Sequence, residues 1–151
     1  MFRAELIDAR ETYPLRQSVL RPTLTIEQVG MDHDDLDTSF HVGARCDDTG
    51  NILAIMTVMR DPLPDGQPGS DMMAWRIRGM ASHPEARGTG AGGAVLVFGM
   101  AHAWARHNDL IWCNARRVAY GFYERYGFGF ESDEFDIEGI GPHKVMAINP
   151  S

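Results

Sequence analysis

Apolar residues along the chain switch between a helical and a strand rhythm, and the switches mark its elements. Phe2 to Leu6 reads as a first strand. Glu11 to Leu20 reads as an amphipathic helix with Leu15, Val19 and Leu20 on one face, ended by Pro22. Thr25 to Val29 adds a short helical turn, and Gly30 to Asp37 an acidic loop. Phe40–Cys46 and Ile52–Met59 form a hairpin around the turn signal Asp47-Asp48-Thr49-Gly50-Asn51. A proline- and glycine-rich loop, Pro62 to Gly69, precedes an alternating strand from Met72 to Ser82. A glycine-rich turn then opens a helix running to about His107. Leu110–Asn114 is a strand, Arg117–Tyr126 a helix, Phe128–Phe135 a strand, and His143–Ile148 a last strand. This order predicts one α/β domain over residues 1–151, with a central mixed, mostly antiparallel sheet and helices on both faces.

Composition narrows the function classes. A chain of 151 residues with 44% hydrophobic content is long enough to bury a real core. No apolar run is long enough to cross a membrane, and Met1-Phe2-Arg3 does not begin a secretory signal. Cys46 and Cys113 lie far apart and form no metal or redox motif, which leaves a reduced, cytoplasmic protein as the default expectation. The formal charge of −7 argues against nucleic acid as a partner and is compatible with a cationic acceptor.

The chemistry is concentrated in Arg87-Gly88-Thr89-Gly90-Ala91-Gly92-Gly93. A glycine-rich turn at a helix start leaves backbone N–H groups unpaired, and the helix dipole adds partial positive charge there. That combination binds phosphate, and Arg87 can add a bidentate contact. Glycine supplies the turn's dihedrals and spares the ligand a Cβ. Gly92 and Gly93 in a first helical turn cost roughly 1 kcal/mol each relative to alanine, which argues for a ligand that uses them. Gly88, Gly90 and Gly93 also fit the G-x-G-x-x-G of a dinucleotide site, with Asp109 downstream. The context disfavours it: Asp109 precedes the second strand instead of ending it, and no Walker lysine follows the glycines.

The strand Trp75–His83, then Pro84, the turn, a helix, a strand, and Ala119-x-x-x-Tyr123-Glu124-x-x-Gly127-Phe128 together resemble the GNAT superfamily of acetyl-CoA-dependent N-acyltransferases. The resemblance is close from Trp75 to Phe130. It implies that the strand at Met80, Ala81 and Ser82 offers its backbone to the pantetheine arm of acetyl-CoA. An N–H there, that of Met80, polarises the thioester carbonyl; losing such a donor costs about 3 kcal/mol of barrier. Arg87 to Gly93 hold the pyrophosphate, and the following strand, ending at Asn114, splays from its neighbour to leave room for the arm. Tyr123 matches the family's tyrosine near the thioester sulfur and is expected to be the general acid. A phenol near pKa 10 and a thiol near about 8.5 suit late proton donation to the departing thiolate.

One position departs from the family. Where many members carry a cofactor-contacting asparagine, this chain has Arg116. Asn114 can replace it from the strand end, or Arg116 can reach the phosphates or the acceptor, or both Arg116 and Arg117 can simply be solvated. The general base is read as His143, in a G-x-G-P-H-x-x-M ending shared with similar small bacterial proteins; its bland alternative is a structural histidine between strands. His41 and Glu131 are the other candidates. His83, His102 and His107 read as turn and helix-surface residues, and no pair has metal-ligand spacing. Cys113 reads as a buried strand residue in preference to a nucleophile. Trp75, Trp104 and Trp112 read as core or cleft aromatics. The acidic stretches Asp32–Asp37 and Asp133–Glu138 read as ordinary solvated loops.

The resulting expectation is acetyl transfer from acetyl-CoA to a small amine, an amino acid or a peptide amine by direct attack in a ternary complex. The alternatives are a non-catalytic acyl-CoA-binding module and, more weakly, a nucleotide-binding oxidoreductase. The family often dimerises through sheet edges or terminal strands, so a homodimer is among the expected states.

Overall fold

A computed structural model describes residues 1–151. Its strands are β1 (Phe2–Ile7), β2 (Phe40–Cys46), β3 (Ile52–Arg60), β4 (Trp75–Ser82), β5 (Ile111–Arg116), β6 (Gly129–Phe130), β7 (Phe135–Ile137) and β8 (Gly141–Ile148). The helices are α1 (Ala9–Leu15), α2 (Ala91–Arg106) and α3 (Tyr120–Arg125). The eight strands form one mixed sheet in the hydrogen-bonded order β1-β2-β3-β4-β5-β8-β6, with β7 also on β8. β4 and β5 run parallel; β1–β2, β2–β3, β5–β8, β6–β8 and β7–β8 run antiparallel. The expected mixed, mostly antiparallel sheet flanked by helices is therefore the observed fold. The chain divides into two compact units, Met1–Met59 with Arg78–Arg106, and Arg60–Ile77 with His107–Ser151.

In the first unit helices cover both faces of the strands. Successive strand residues point to opposite sides, so Met56 on β3 meets α2 while Thr57 meets the segment after α1. The α2 contact is close. A methyl built on Gly99 would lie 2.0 Å from Met56 Cε and 3.6 Å from Val42 Cγ2. Met56 and Val42 are fully buried, so the thioether has little room to retreat. Gly99→Ala should destabilise the fold by about 1–3 kcal/mol, the cost of overpacking, read as a lower urea midpoint at unchanged slope. On the other face Leu15, Ile55 and Ala81 form a core with Ile7, Val19, Leu20 and Ile52.

Two expectations change here. The helix expected over Glu11–Leu20 is an α-helix only to Leu15 and continues as a π-helix over Arg16–Leu20. Pro14 lies inside the α-helical part and has no N–H to donate back to the Arg10 carbonyl. The Gly30–Asp37 stretch is not simply a solvated loop. Asp34 is buried and accepts from both Arg16 nitrogens, Nη1 to Oδ2 at 2.7 Å and Nη2 to Oδ1 at 2.8 Å. Arg16 also donates to Thr57 Oγ1 (2.7 Å) and the Val29 carbonyl (3.2 Å).

The second unit packs Leu63, Ala74, Trp112, Val145 and Ala147 together, with Leu110 and Phe135 against them. Trp75 and Trp112 are core residues. Their indole N–H groups donate to the carbonyls of His107 (2.9 Å) and Asp61 (2.8 Å). Arg60 and Arg76 lie over their rings. The strand expected over Met72–Ser82 starts at Trp75, because the turns through Gly66 and Gly69 extend to Met72 and leave Met72 and Met73 exposed. The strand expected over Phe128–Phe135 is two short ones. Between them the Ser132 hydroxyl, in place of a strand carbonyl, accepts from the Val145 N–H at 2.9 Å. No helix is long and apolar enough to cross a membrane.

Candidate active site

The glycine turn lies in the first unit. After β4, Pro84–Ala86 make a short 3-10 turn whose first N–H groups are capped by His83: its Nδ1 accepts from Glu85 N–H at 3.1 Å. Gly88 and Gly90 have φ of +81° and +89°, where a Cβ would be strained. A methyl on either would meet no protein atom within 4 Å, so the space before the turn is open to a ligand. The Gly90 carbonyl accepts the first α2 bond, from Ala94 N–H at 3.0 Å. The N–H groups of Gly92 and Gly93 precede that bond and have no intrahelical acceptor. Thr89 Oγ1 donates to the Ala86 carbonyl and receives a long contact from Ala91 N–H (3.4 Å), which fixes the turn. Ala91 and Gly93 are buried, whereas Arg87 is exposed at the mouth.

Met80, Ala81 and Ser82 form the end of β4. The parallel register with β5 comprises Trp75↔Ile111, Arg76↔Trp112 and Ile77↔Cys113, and stops there. The three residues lie beyond it. Inside β4, Gly79 takes φ +63°, the left-handed conformation of a glycine bulge. Met80 and Ser82 are half-buried and Ala81 buried.

In the second unit, Tyr123 sits on α3 with its ring against Phe122 and Phe128, at centroid distances of 5.2 Å each. It is 5% exposed. Its ring lies beside Cys113 of β5. Burial first, and Cys113 second, push the phenol well above its ordinary pKa, so it is held protonated. Burial likewise pushes the Cys113 thiol up to about 12, which removes it as a nucleophile at neutral pH. The bland reading of Cys113 is therefore the observed one.

Asn114 follows Cys113, opposite Val145 of β8. Its Oδ1 is buried without a hydrogen-bond partner. An orphaned buried acceptor costs free energy unless a ligand donor meets it, which suits an amide-bearing cofactor arm. Arg116 ends β5 directly opposite His143 of β8, and Phe135 of β7 faces His143 from the other side. His143 is buried, and its Nδ1 lies 2.8 Å from the Gly141 carbonyl. A carbonyl accepts only, so Nδ1 carries a proton, and in the neutral ring the lone pair is on Nε2. His41 is placed otherwise: Nδ1 meets Thr57 Oγ1 (2.7 Å) and Nε2 the Asp34 carbonyl (3.0 Å). Both nitrogens are spent, which removes His41 as a base. Asp109 pairs with Arg60 at 2.6 Å.

The Arg16–Asp34–Thr57–His41 cluster was not anticipated as a unit. Its signal was present: Arg16 stands four residues after buried Thr12 and next to buried Leu15, a charge inside the inward face of a helix.

No family model matches the chain. The chain is 34% identical over 147 residues, 97% of its length and 95% of the relative's, to the Bacillus subtilis (strain 168) uncharacterized N-acetyltransferase YitI. Its fold matches an acyl-CoA N-acyltransferase from Pseudomonas aeruginosa, with a TM-score of 0.71 at 19% identity, covering 97% of this chain and 99% of that one. An aminoglycoside 6'-N-acetyltransferase crystallised with coenzyme A gives a TM-score of 0.71 at 11% identity, over 97% and 96% of the two chains. The chain belongs to the GNAT superfamily. It is accordingly an N-acetyltransferase.

Proposed function

We propose that this enzyme moves the acetyl group of acetyl-CoA to a primary amine by direct attack within a ternary complex. The observation that carries the reading is the Arg87–Gly93 turn, with two left-handed glycines, open space before it and unpaired N–H groups at the start of a 16-residue helix. Bound there, acetyl-CoA supplies an activated acyl thioester. The N–H groups of Gly92 and Gly93 and the Arg87 guanidinium hold the pyrophosphate, with Gly88, Thr89, Gly90 and Ala91 shaping the turn. The backbone of Met80, Ala81 and Ser82 orders the pantetheine arm, and the Met80 N–H stabilises charge on the thioester oxygen. Asn114 Oδ1 accepts from an amide of the arm, and Arg116 supports the acceptor end. His143 Nε2 takes a proton from the acceptor's ammonium, directly or through water, and the free amine then attacks the thioester carbonyl. Tyr123, kept neutral by burial, protonates the departing thiolate. The acceptor is a small amine, an amino acid or a peptide amine. Two unpaired cysteines and a CoA-linked donor fit the reducing cytoplasm. The working unit in this reading is a monomer or a homodimer.

Calorimetric titration with acetyl-CoA, NAD and ATP tests the reading. Micromolar binding of acetyl-CoA alone is expected, weakened about tenfold or more in Arg87→Ala by loss of a charge-assisted contact. Preferential NAD binding would replace the reading with a dinucleotide site, and no binding of acetyl-CoA would end it.

A further inference from the structure

We infer that Met31 limits the length of the acyl group this enzyme accepts. The inference rests on the acyl-CoA reading above and deepens it. A methyl built on Gly79 would lie 3.1 Å from Met31 Cε and 3.4 Å from Arg16 Nε. The thioether tip therefore lies against β4 at the residue just before Met80. Consecutive Cα atoms are about 3.8 Å apart, so an acyl carbonyl held by the Met80 N–H has its alkyl end within reach of this tip.

Met31 is fixed in place through its backbone. Its N–H donates to Asp34 Oδ2 at 2.8 Å, and its carbonyl accepts from Asp34 N–H at 3.0 Å. Asp34 is in turn clamped by buried Arg16. The side chain is half-buried, so it forms a wall that a ligand can touch. The chemistry of that wall favours an alkyl group over an ammonium acceptor. Both Asp34 carboxylate oxygens already face Arg16, which leaves an ion pair of no net charge and no free carboxylate for a cation. A thioether methyl suits the end of an acyl chain. Acetyl brings one methyl to it, and every further methylene must displace a side chain whose backbone is pinned.

The test is calorimetric binding of CoA, acetyl-CoA, butyryl-CoA and hexanoyl-CoA to the wild type, Met31→Ala and Met31→Leu. In the wild type, affinity should fall about tenfold or more between acetyl-CoA and hexanoyl-CoA, the scale on which a pocket wall senses extra methylenes. In Met31→Ala the ratio should collapse toward one, and in Met31→Leu it should be intermediate. Circular dichroism confirms that each variant is folded, and if the alanine variant is not, the leucine variant carries the comparison. An acetyl-to-hexanoyl ratio unchanged by both substitutions, or a wild type indifferent to chain length, would overturn the inference. CoA carries no acyl group, so a wild type that binds none of the four ligands shows failure of the cofactor reading itself, and the inference falls with it.

Discussion

Tyr123→Phe should lower kcat by about a hundredfold or more while leaving the affinity for acetyl-CoA unchanged, the pattern of a lost general acid. The phenol is suited to that role by its surroundings. It is 5% exposed and burial holds it protonated. Removing the hydroxyl leaves the ring packed on Phe122 and Phe128, so the fold should lose only about 1 kcal/mol. Steady-state kinetics, calorimetry and urea unfolding separate the two effects. A variant with full kcat would return Tyr123 to the role of a core aromatic. A large loss of stability would say the same of its hydroxyl.

Asp34→Asn should cost about 3–5 kcal/mol of stability, because it leaves the Arg16 guanidinium charged and buried without its counter-ion. Both side chains are 2% exposed, and the pair is bidentate. Replacing both partners by apolar residues, as in Arg16→Met with Asp34→Leu, should recover much of the loss, which distinguishes a stranded charge from lost packing. The pair also makes stability depend on pH. Burial alone would raise the Asp34 carboxyl, but hydrogen bonds from Arg16 and the Met31 N–H outweigh it and hold the carboxyl below its ordinary value. A lowered folded-state pKa contributes stability that is complete above the unfolded value of about 3.9 and is lost as pH falls through the folded one. Urea midpoints of the wild type should therefore fall on acidification below about pH 4 more steeply than those of Asp34→Asn.

The parts of the candidate site legible in the sequence are those built from neighbours along the chain. The turn at Gly88 and Gly90 needs positive φ, which glycine supplies wherever it stands, and a helix start leaves its own N–H groups unpaired. The α3 segment with Tyr123, and the strand with Met80, were placed by the spacing of short motifs. The placing of Tyr123 beside Cys113 and the His143–Arg116 pairing were not legible, since each joins residues from different elements through strand register and helix docking. His41 shows the same limit. Its residue type fitted a base, and only its two neighbours, Thr57 and the Asp34 carbonyl, disqualify it.

By itself the sequence determined the alternation of strands and helices, the glycine turn that opens a helix, and the superfamily, because hydrophobic period, glycine conformation and helix-end polarity act over a few residues. The tertiary structure decided which charges are buried and which side chains meet. Asp34 reads as one more acid in an exposed loop until the chain folds back to set it against Arg16. Met31 reads as an isolated apolar residue until that ion pair holds it against Gly79. Desolvation and contact depend on what surrounds a group in space, and residues distant in the chain supply those surroundings.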